Sequence, residues 1–179
     1  FIMLGMELET GPLMRAYSIA SPVWDEELEF YSIIIQDGAL TSRMQHTKVG
    51  DELVISAKAV GSLTLRGLAS GGKRLFMLST GTGLAPFASL IRDEEVYDSF
   101  DQVIVTHTCR FVEDLQYGFD RVKEAKECPL VGEDASKKLV HYTSVTREDY
   151  HHRGRITTLM ESGEAFEHLG MPAFDPVTD

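Results

Sequence analysis

Short runs rich in β-branched and aromatic residues, at 1–8, 15–20, 28–36 and 52–59, open the chain. Thr10-Gly11-Pro12, Ser21-Pro22, Asp37-Gly38 and Gly50-Asp51 separate them, and runs punctuated by such turn residues predict antiparallel strands, here part of a β-barrel. Between them, residues 40–46 suit one or two helical turns with Thr41 or Ser42 as the N-cap. After Ser70-Gly71-Gly72-Lys73 the pattern changes. Apolar runs at 75–79, 102–106 and 139–145 alternate with helix-like segments at 86–91 and 117–126, and a short helix at 156–162 ends at Gly163. Strands alternating with helices predict a parallel sheet covered on its faces. The expected fold class is β + α/β: an antiparallel β-barrel lobe over residues 1–72 followed by a parallel-sheet α/β lobe over residues 73–179. Ligands are expected between the lobes and at the carboxyl ends of the parallel strands.

Composition narrows the function classes. The chain of 179 residues is 43% apolar and 25% charged, ordinary for a globular protein, and it has no apolar run near the roughly 20 residues that span a bilayer. Its formal net charge of −11 argues against nucleic acid as a partner. Charge is uneven, however: between Arg43 and Arg74 six basic residues (Arg43, Lys48, Lys58, Arg66, Lys73, Arg74) face two acids, Asp51 and Glu52. Such a patch suits an acidic protein partner, and a solvated strand face explains it equally well. Cys109 and Cys128 have no metal-ligand spacing and read as free thiols of a reducing cytoplasm. His151 and His152 are adjacent rather than four apart, so no metal site is expected. The opening residues read as the middle of a strand rather than a leader, so the chain is expected to be a fragment.

The stretch Ser79-Thr80-Gly81-Thr82-Gly83-Leu84-Ala85-Pro86 runs from an apolar strand through a glycine turn into a helix start that suits proline. Two glycines admit a ligand close to the backbone, and the free amides of a helix start attract a diphosphate. No Walker lysine follows, and Pro86 stands where a third glycine would complete the dinucleotide fingerprint; a plain tight turn looks similar. Arg110, Arg147 and Arg155 lie at strand ends or in loops of the second lobe, where guanidinium groups match phosphate oxygens with paired donors. Taken singly, each arginine reads more often as a surface ion pair. In the first lobe, Arg15-Ala16-Tyr17-Ser18 offers a phosphate clamp, a stacking plate and a hydroxyl, but an edge strand with a buried tyrosine is the reading that physics alone favours. Strict alternation would put Arg15, Tyr17 and Ile19 on one face and Ser18 on the other unless a bend intervenes.

Taken in order, Leu13 to Pro22, Gly38-Ala39-Leu40-Thr41-Ser42, Thr80 to Pro86, Val145-Thr146-Arg147-Glu148 and Gly154-Arg155-Ile156-Thr157 resemble the bacterial-type ferredoxin (flavodoxin)–NADP reductase family along the whole chain. The resemblance implies FAD and NADP(H) as cofactors. It implies that Arg15, Ala16, Tyr17 and Ser18 bind FAD, with Arg15 on the diphosphate, Tyr17 stacked on the isoalloxazine and Ser18 tuning the flavin N5. Leu40, Thr41 and Ser42 would offer backbone amides to the diphosphate. Thr82 and Gly83 would face the pyridine nucleotide, and Arg110, Thr146, Arg147 and Arg155 the adenosine 2′-phosphate. The implied activity is hydride transfer between NADP(H) and FAD, coupled to one-electron exchange with a ferredoxin or flavodoxin, in a cytoplasmic monomer. The family also has barrel strands before the point equivalent to Phe1 and a further strand and tail after the point equivalent to Asp179, so the chain is expected to be truncated at both ends. Two rivals stand beside this: a reductase component feeding an oxygenase, and a non-catalytic fragment of such a reductase.

Overall fold

The computed structural model describes residues 1–68 and 72–175. Two three-stranded sheets organise them. In the first, β1 (Ile2–Leu8) pairs antiparallel with both β2 (Gly11–Tyr17) and β3 (Val54–Ile55). The β1–β2 hairpin closes with Leu8 opposite Gly11, a two-residue connection of the kind that matches strand twist. The second sheet has strand order β4 (Arg74–Thr80), β5 (Gln102–Cys109), β6 (Leu139–Val145), all parallel.

The second sheet is a sandwich layer. Leu75, Met77, Val103 and Val105 pack on one face against α2 (Ala85–Leu90), α3 (Glu94–Ser99), α4 (Gln116–Glu127) and α5 (Gly132–Lys138). In α4 the buried positions are Gly118, Val122 and Ala125, the four-then-three spacing of one helical face. Gly118 is required there. A Cβ would lie 2.6 Å from His107 Nδ1 and 3.1 Å from Leu84, so only glycine lets α4 press this close to β5. The opposite face is covered by α6 (Ile156–Glu161) and α7 (Glu164–Leu169), with Tyr142, Ile156, Leu159 and Ala165 as its core. Phe76, Phe166 and Phe174 meet edge to face beside it.

Several expectations change. The strand expected at 15–20 spans Gly11–Tyr17 instead, and the strand at 52–59 shrinks to Val54–Ile55. The strand expected at 28–36 is absent: the segment has no regular secondary structure, and Phe30 makes one bridge to Ile19. Its sequence suits a strand, but propensity is realised only where a ladder partner lies alongside. The helix at 40–46 is the single turn α1 (Thr41–Met44), and its N-cap is Leu40, without a side-chain bond. Thr41 cannot cap because its hydroxyl exchanges hydrogen bonds with the backbone N–H and carbonyl of Ile35, each 3.1 Å. Of the expected lobe boundary, Ser70 and Gly71 lie outside the described residues.

Arg74 also departs from its expected place in an exposed basic patch. Its guanidinium donates to the carbonyls of Pro172 (2.8 Å) and Ala173 (3.0 Å) and lies over the Phe76 ring. It ties residues 172–175 to the edge of β4 rather than standing free for a partner.

Candidate functional site

Where the two sheets approach each other, a cleft of about 540 Å³ opens, within the range of small-molecule sites. Its first wall is the end of β2: Arg15, Ala16, Tyr17 and Ser18. All four share the cleft because the ladder changes partner there. Tyr17 pairs with Ile2 of β1, whereas Ile19 pairs with Phe30, and the switch between them breaks the alternation that would have turned Ser18 away. Tyr17 meets Phe30 edge to face, with ring centroids 6.3 Å apart. Arg15 is exposed and donates to the Met14 carbonyl at 2.8 Å.

The second wall is the segment from Tyr31 to Thr41, with Tyr31, Ile33 and Ile35 among its lining residues. Leu40 and Thr41 line the cleft, but Ser42 does not, and its amide is already bonded to the Gly38 carbonyl at 3.1 Å. Of the amides expected to meet a diphosphate, those of Leu40 and Thr41 are better placed. The third wall comes from the other lobe: Thr82, Gly83 and Ala85 of the turn that follows β4. Gly81 has φ +49, and a Cβ on Gly81 or Gly83 would meet nothing within 4 Å. The turn thus has left-handed backbone at Gly81 and open space beside both glycines.

The turn is held from beneath. His107 of β5 is fully buried, and its Nε2 is 3.1 Å from the Gly81 carbonyl. A carbonyl only accepts, so this nitrogen carries the proton. Burial, partly offset by that bond and by the charge of Asp114, holds the imidazole pKa below its ordinary value. Cys109 Sγ lies 3.1 Å from the same nitrogen. Burial and the nearby Asp114 raise its thiol to about 11, against the weaker pull of the Gly81 backbone. Cys109 is therefore a protonated packing residue, not a nucleophile.

Arg110, Thr146, Arg147 and Arg155 do not line the cleft. They stand together at the carboxyl end of the parallel sheet, where Arg147 N–H donates to the Arg110 carbonyl at 3.0 Å and Thr146 N–H to the Cys109 carbonyl at 3.1 Å. The Gly154 amide bonds to the Val145 carbonyl at 2.9 Å, which brings Arg155 alongside. All three arginines are exposed. Among the described residues none has an acidic partner, whereas Arg153 between them pairs with Asp149 at 3.2 Å. A carboxylate would compete with a phosphate, so the uncommitted cations fit an anionic ligand.

No family model matches the chain. Individual proteins do. It is 53% identical over 180 residues to the flavodoxin/ferredoxin–NADP reductase of Rhodobacter capsulatus, covering all of this chain and 66% of that protein. It is 50% identical over 179 residues to the ferredoxin–NADP reductase of Azotobacter vinelandii, covering all of this chain and 69% of that one. The chain belongs to the ferredoxin (flavodoxin)–NADP reductase family. It spans about two thirds of the length of these relatives. Among solved structures, a ferredoxin NADP+ reductase from Neisseria gonorrhoeae with bound FAD and NADP superposes with a TM-score of 0.86 at 28% identity, over 99% of this chain and 69% of that one.

The donor set suits the groups this family uses. A cleft with an aromatic ring, a guanidinium and a hydroxyl on one wall fits a flavin nucleotide, and open space beside Gly81 and Gly83 fits a nucleotide on the other. Sequence reasoning missed the Tyr31 wall. The signal was present, because Tyr31, Ile33 and Ile35 alternate with the period of two that puts residues on one face.

Proposed function

We propose that this chain supplies the FAD-facing and NADP(H)-facing lobes of a ferredoxin or flavodoxin reductase, the first over residues 1–72 and the second over 73–179. The observation that carries this reading is the shared cleft: Arg15, Tyr17 and Ser18 from one lobe face Thr82 and Gly83 from the other. Arg15 neutralises the flavin diphosphate, assisted by the amides of Leu40 and Thr41. Tyr17 stacks on the ring system, and Ser18, whose hydroxyl has no partner among the described residues, hydrogen-bonds it. FAD supplies the capacity to take a hydride from NADPH and release electrons singly. Thr82 and Gly83 orient the nicotinamide end of NADP(H), and Thr146, Arg110, Arg147 and Arg155 hold the adenosine 2′-phosphate. Identities of about half with proteins named as ferredoxin or flavodoxin reductases support this over an oxygenase component.

The carrier is an acidic ferredoxin or flavodoxin, met by Lys48, Lys58 and Lys73 of the basic stretch; Arg74, tied to residues 172–173, is not part of that surface. Electron delivery to it should slow as salt rises. We infer a cytoplasmic monomer. Free thiols at Cys109 and Cys128 suit that compartment, and among the described residues no helix is long and apolar enough to cross a membrane.

Cofactor choice tests the reading. NADPH and NADH differ only by the 2′-phosphate, so Arg147→Ala and Arg155→Ala in the complete enzyme should each lower kcat/KM for NADPH by roughly 10- to 150-fold, from about 1.5–3 kcal/mol per charged hydrogen bond. Efficiency with NADH should barely move. Equal losses with both cofactors would show that these arginines support the fold instead.

A further inference from the structure

Outside the cleft the lobes are joined by a charge cluster that no part of the reaction described above uses. Glu29, in the first lobe, accepts at Oε1 from the Tyr117 hydroxyl (2.8 Å) and Arg121 (2.7 Å), and at Oε2 from Arg92 (3.1 Å). Arg92 is buried, and it also donates to the carbonyls of Ala20 (2.7 Å) and Ala88 (3.0 Å). Its own carbonyl accepts the Trp24 indole N–H at 2.9 Å. Glu124 closes the cluster on Arg121 (2.5 Å) and Arg92 (3.5 Å). Two guanidinium groups thus face two carboxylates. Alongside, Tyr31 of the first lobe stacks on Tyr117 of α4 with centroids 3.9 Å apart and planes 11° from parallel.

The anchor points matter more than the pairs themselves. Ala20 lies two residues beyond Ser18, and Glu29 lies two before Tyr31, so the cluster grips both segments of the first lobe that wall the cleft. Ala88 sits in α2, whose first residue, Ala85, ends the third wall. Rotating one lobe on the other would leave a buried guanidinium unpaired, which is costly. Burial pulls the Glu29 carboxyl upward, but hydrogen bonds from Tyr117 and Arg92 and the charge of Arg121 outweigh it and hold it below the ordinary carboxylate value. The carboxylate is therefore charged at neutral pH.

We propose that Glu29, Arg92, Arg121 and Tyr117 form a positioning device for hydride transfer. None of the four lines the cleft; they fix the Arg15–Ser18 wall relative to Thr82 and Gly83. This rests on the functional reading above. Reacting atoms must approach within about 3–3.5 Å, and a misplacement of about 1 Å costs on the order of a hundredfold, so a small lobe rotation should appear in the hydride step before it appears in binding.

Glu29→Gln and the milder Tyr117→Phe in the complete enzyme test it. Flavin content, NADPH dissociation constant and re-oxidation of chemically reduced enzyme by a small dye should stay within about threefold of wild type. Hydride transfer at saturating NADPH should slow by about tenfold or more in Glu29→Gln, and by less in Tyr117→Phe, consistent with the steep distance dependence. Wild-type hydride rates in both variants would overturn the proposal, as would equal losses across all four measurements. A second measurement is independent of the cofactors. Spin labels at Glu52→Cys and Lys123→Cys, with Cys128→Ser, should give a narrow distance distribution that broadens in both variants. An unchanged width overturns the device whether or not flavin binds. Failure of the wild-type enzyme to take a hydride from NADPH, with the broadening still seen in both variants, would instead overturn the functional reading and leave the lobe clamp standing.

Discussion

Two apolar triplets in this chain meet opposite fates. Val103-Ile104-Val105, in β5, are each 0% exposed. Ile33-Ile34-Ile35, in the first lobe, are 58%, 55% and 56% exposed. Their intrinsic preferences are nearly identical, since all six are β-branched and favour strands. The first triplet has a ladder on both sides, β4 and β6, and helices over both faces, so every side chain and backbone group finds a partner. The second has neither a ladder partner nor a covering layer among the described residues. Apolar sequence therefore proposes a strand, but neighbours on both edges and faces make it a core.

The comparison breaks most sharply if core and exposed isoleucines prove equivalent. Ile104→Ala should cost about 2–5 kcal/mol, the range for large-to-small changes in a close-packed interior. Ile34→Ala should stay within about 0.5 kcal/mol, as for exposed substitutions. Urea midpoints of the two variants decide this, and similar shifts would mean that Ile34 packs in solution as Ile104 does.

Exposure in the first lobe does not make it idle, because its open face carries the cleft. Tyr17→Ala should weaken FAD binding by about 1–3 kcal/mol, by analogy with the loss of other aromatic stacking contacts. Cofactor titration of the complete apoenzyme measures it, and unchanged affinity would remove Tyr17 from the flavin site.

The buried lobe should respond to pH in its own way. Burial, with smaller contributions from the His107 and Lys126 charges, pushes the His141 imidazole from 6.5 down to about 4. Between these values the unfolded chain binds the proton and the folded chain does not. Stability is therefore full above pH 6.5 and falls as pH drops toward about 4, by roughly 3 kcal/mol from this group. His141→Phe should flatten that part of the profile. An unaltered slope in the variant would assign it to other groups.

The sequence by itself determined the parallel sheet of the second lobe and its helices α2, α4 and α6. Its strands at 75–79, 102–106 and 139–145 lie within β4, β5 and β6, because strands of a parallel sheet covered on both faces are rich in apolar residues and that composition is legible without neighbours. It also marked the glycine turn and the Arg15–Ser18 string, both of which line the cleft, since a left-handed backbone and a cleft-lining polar cluster need particular residue types in a short stretch. The short helices α3, α5 and α7 escaped because six or seven residues carry too little periodicity to stand out. Tertiary structure alone decided that Ser18 turns into the cleft with Tyr17, that Ser42 spends its amide on Gly38, that Arg74 binds residues 172–173, and that Glu29 joins the lobes. Each of these depends on which partner lies across space, often many tens of residues away. A side chain's propensity is local, but its hydrogen-bond partner is fixed only when the layers pack.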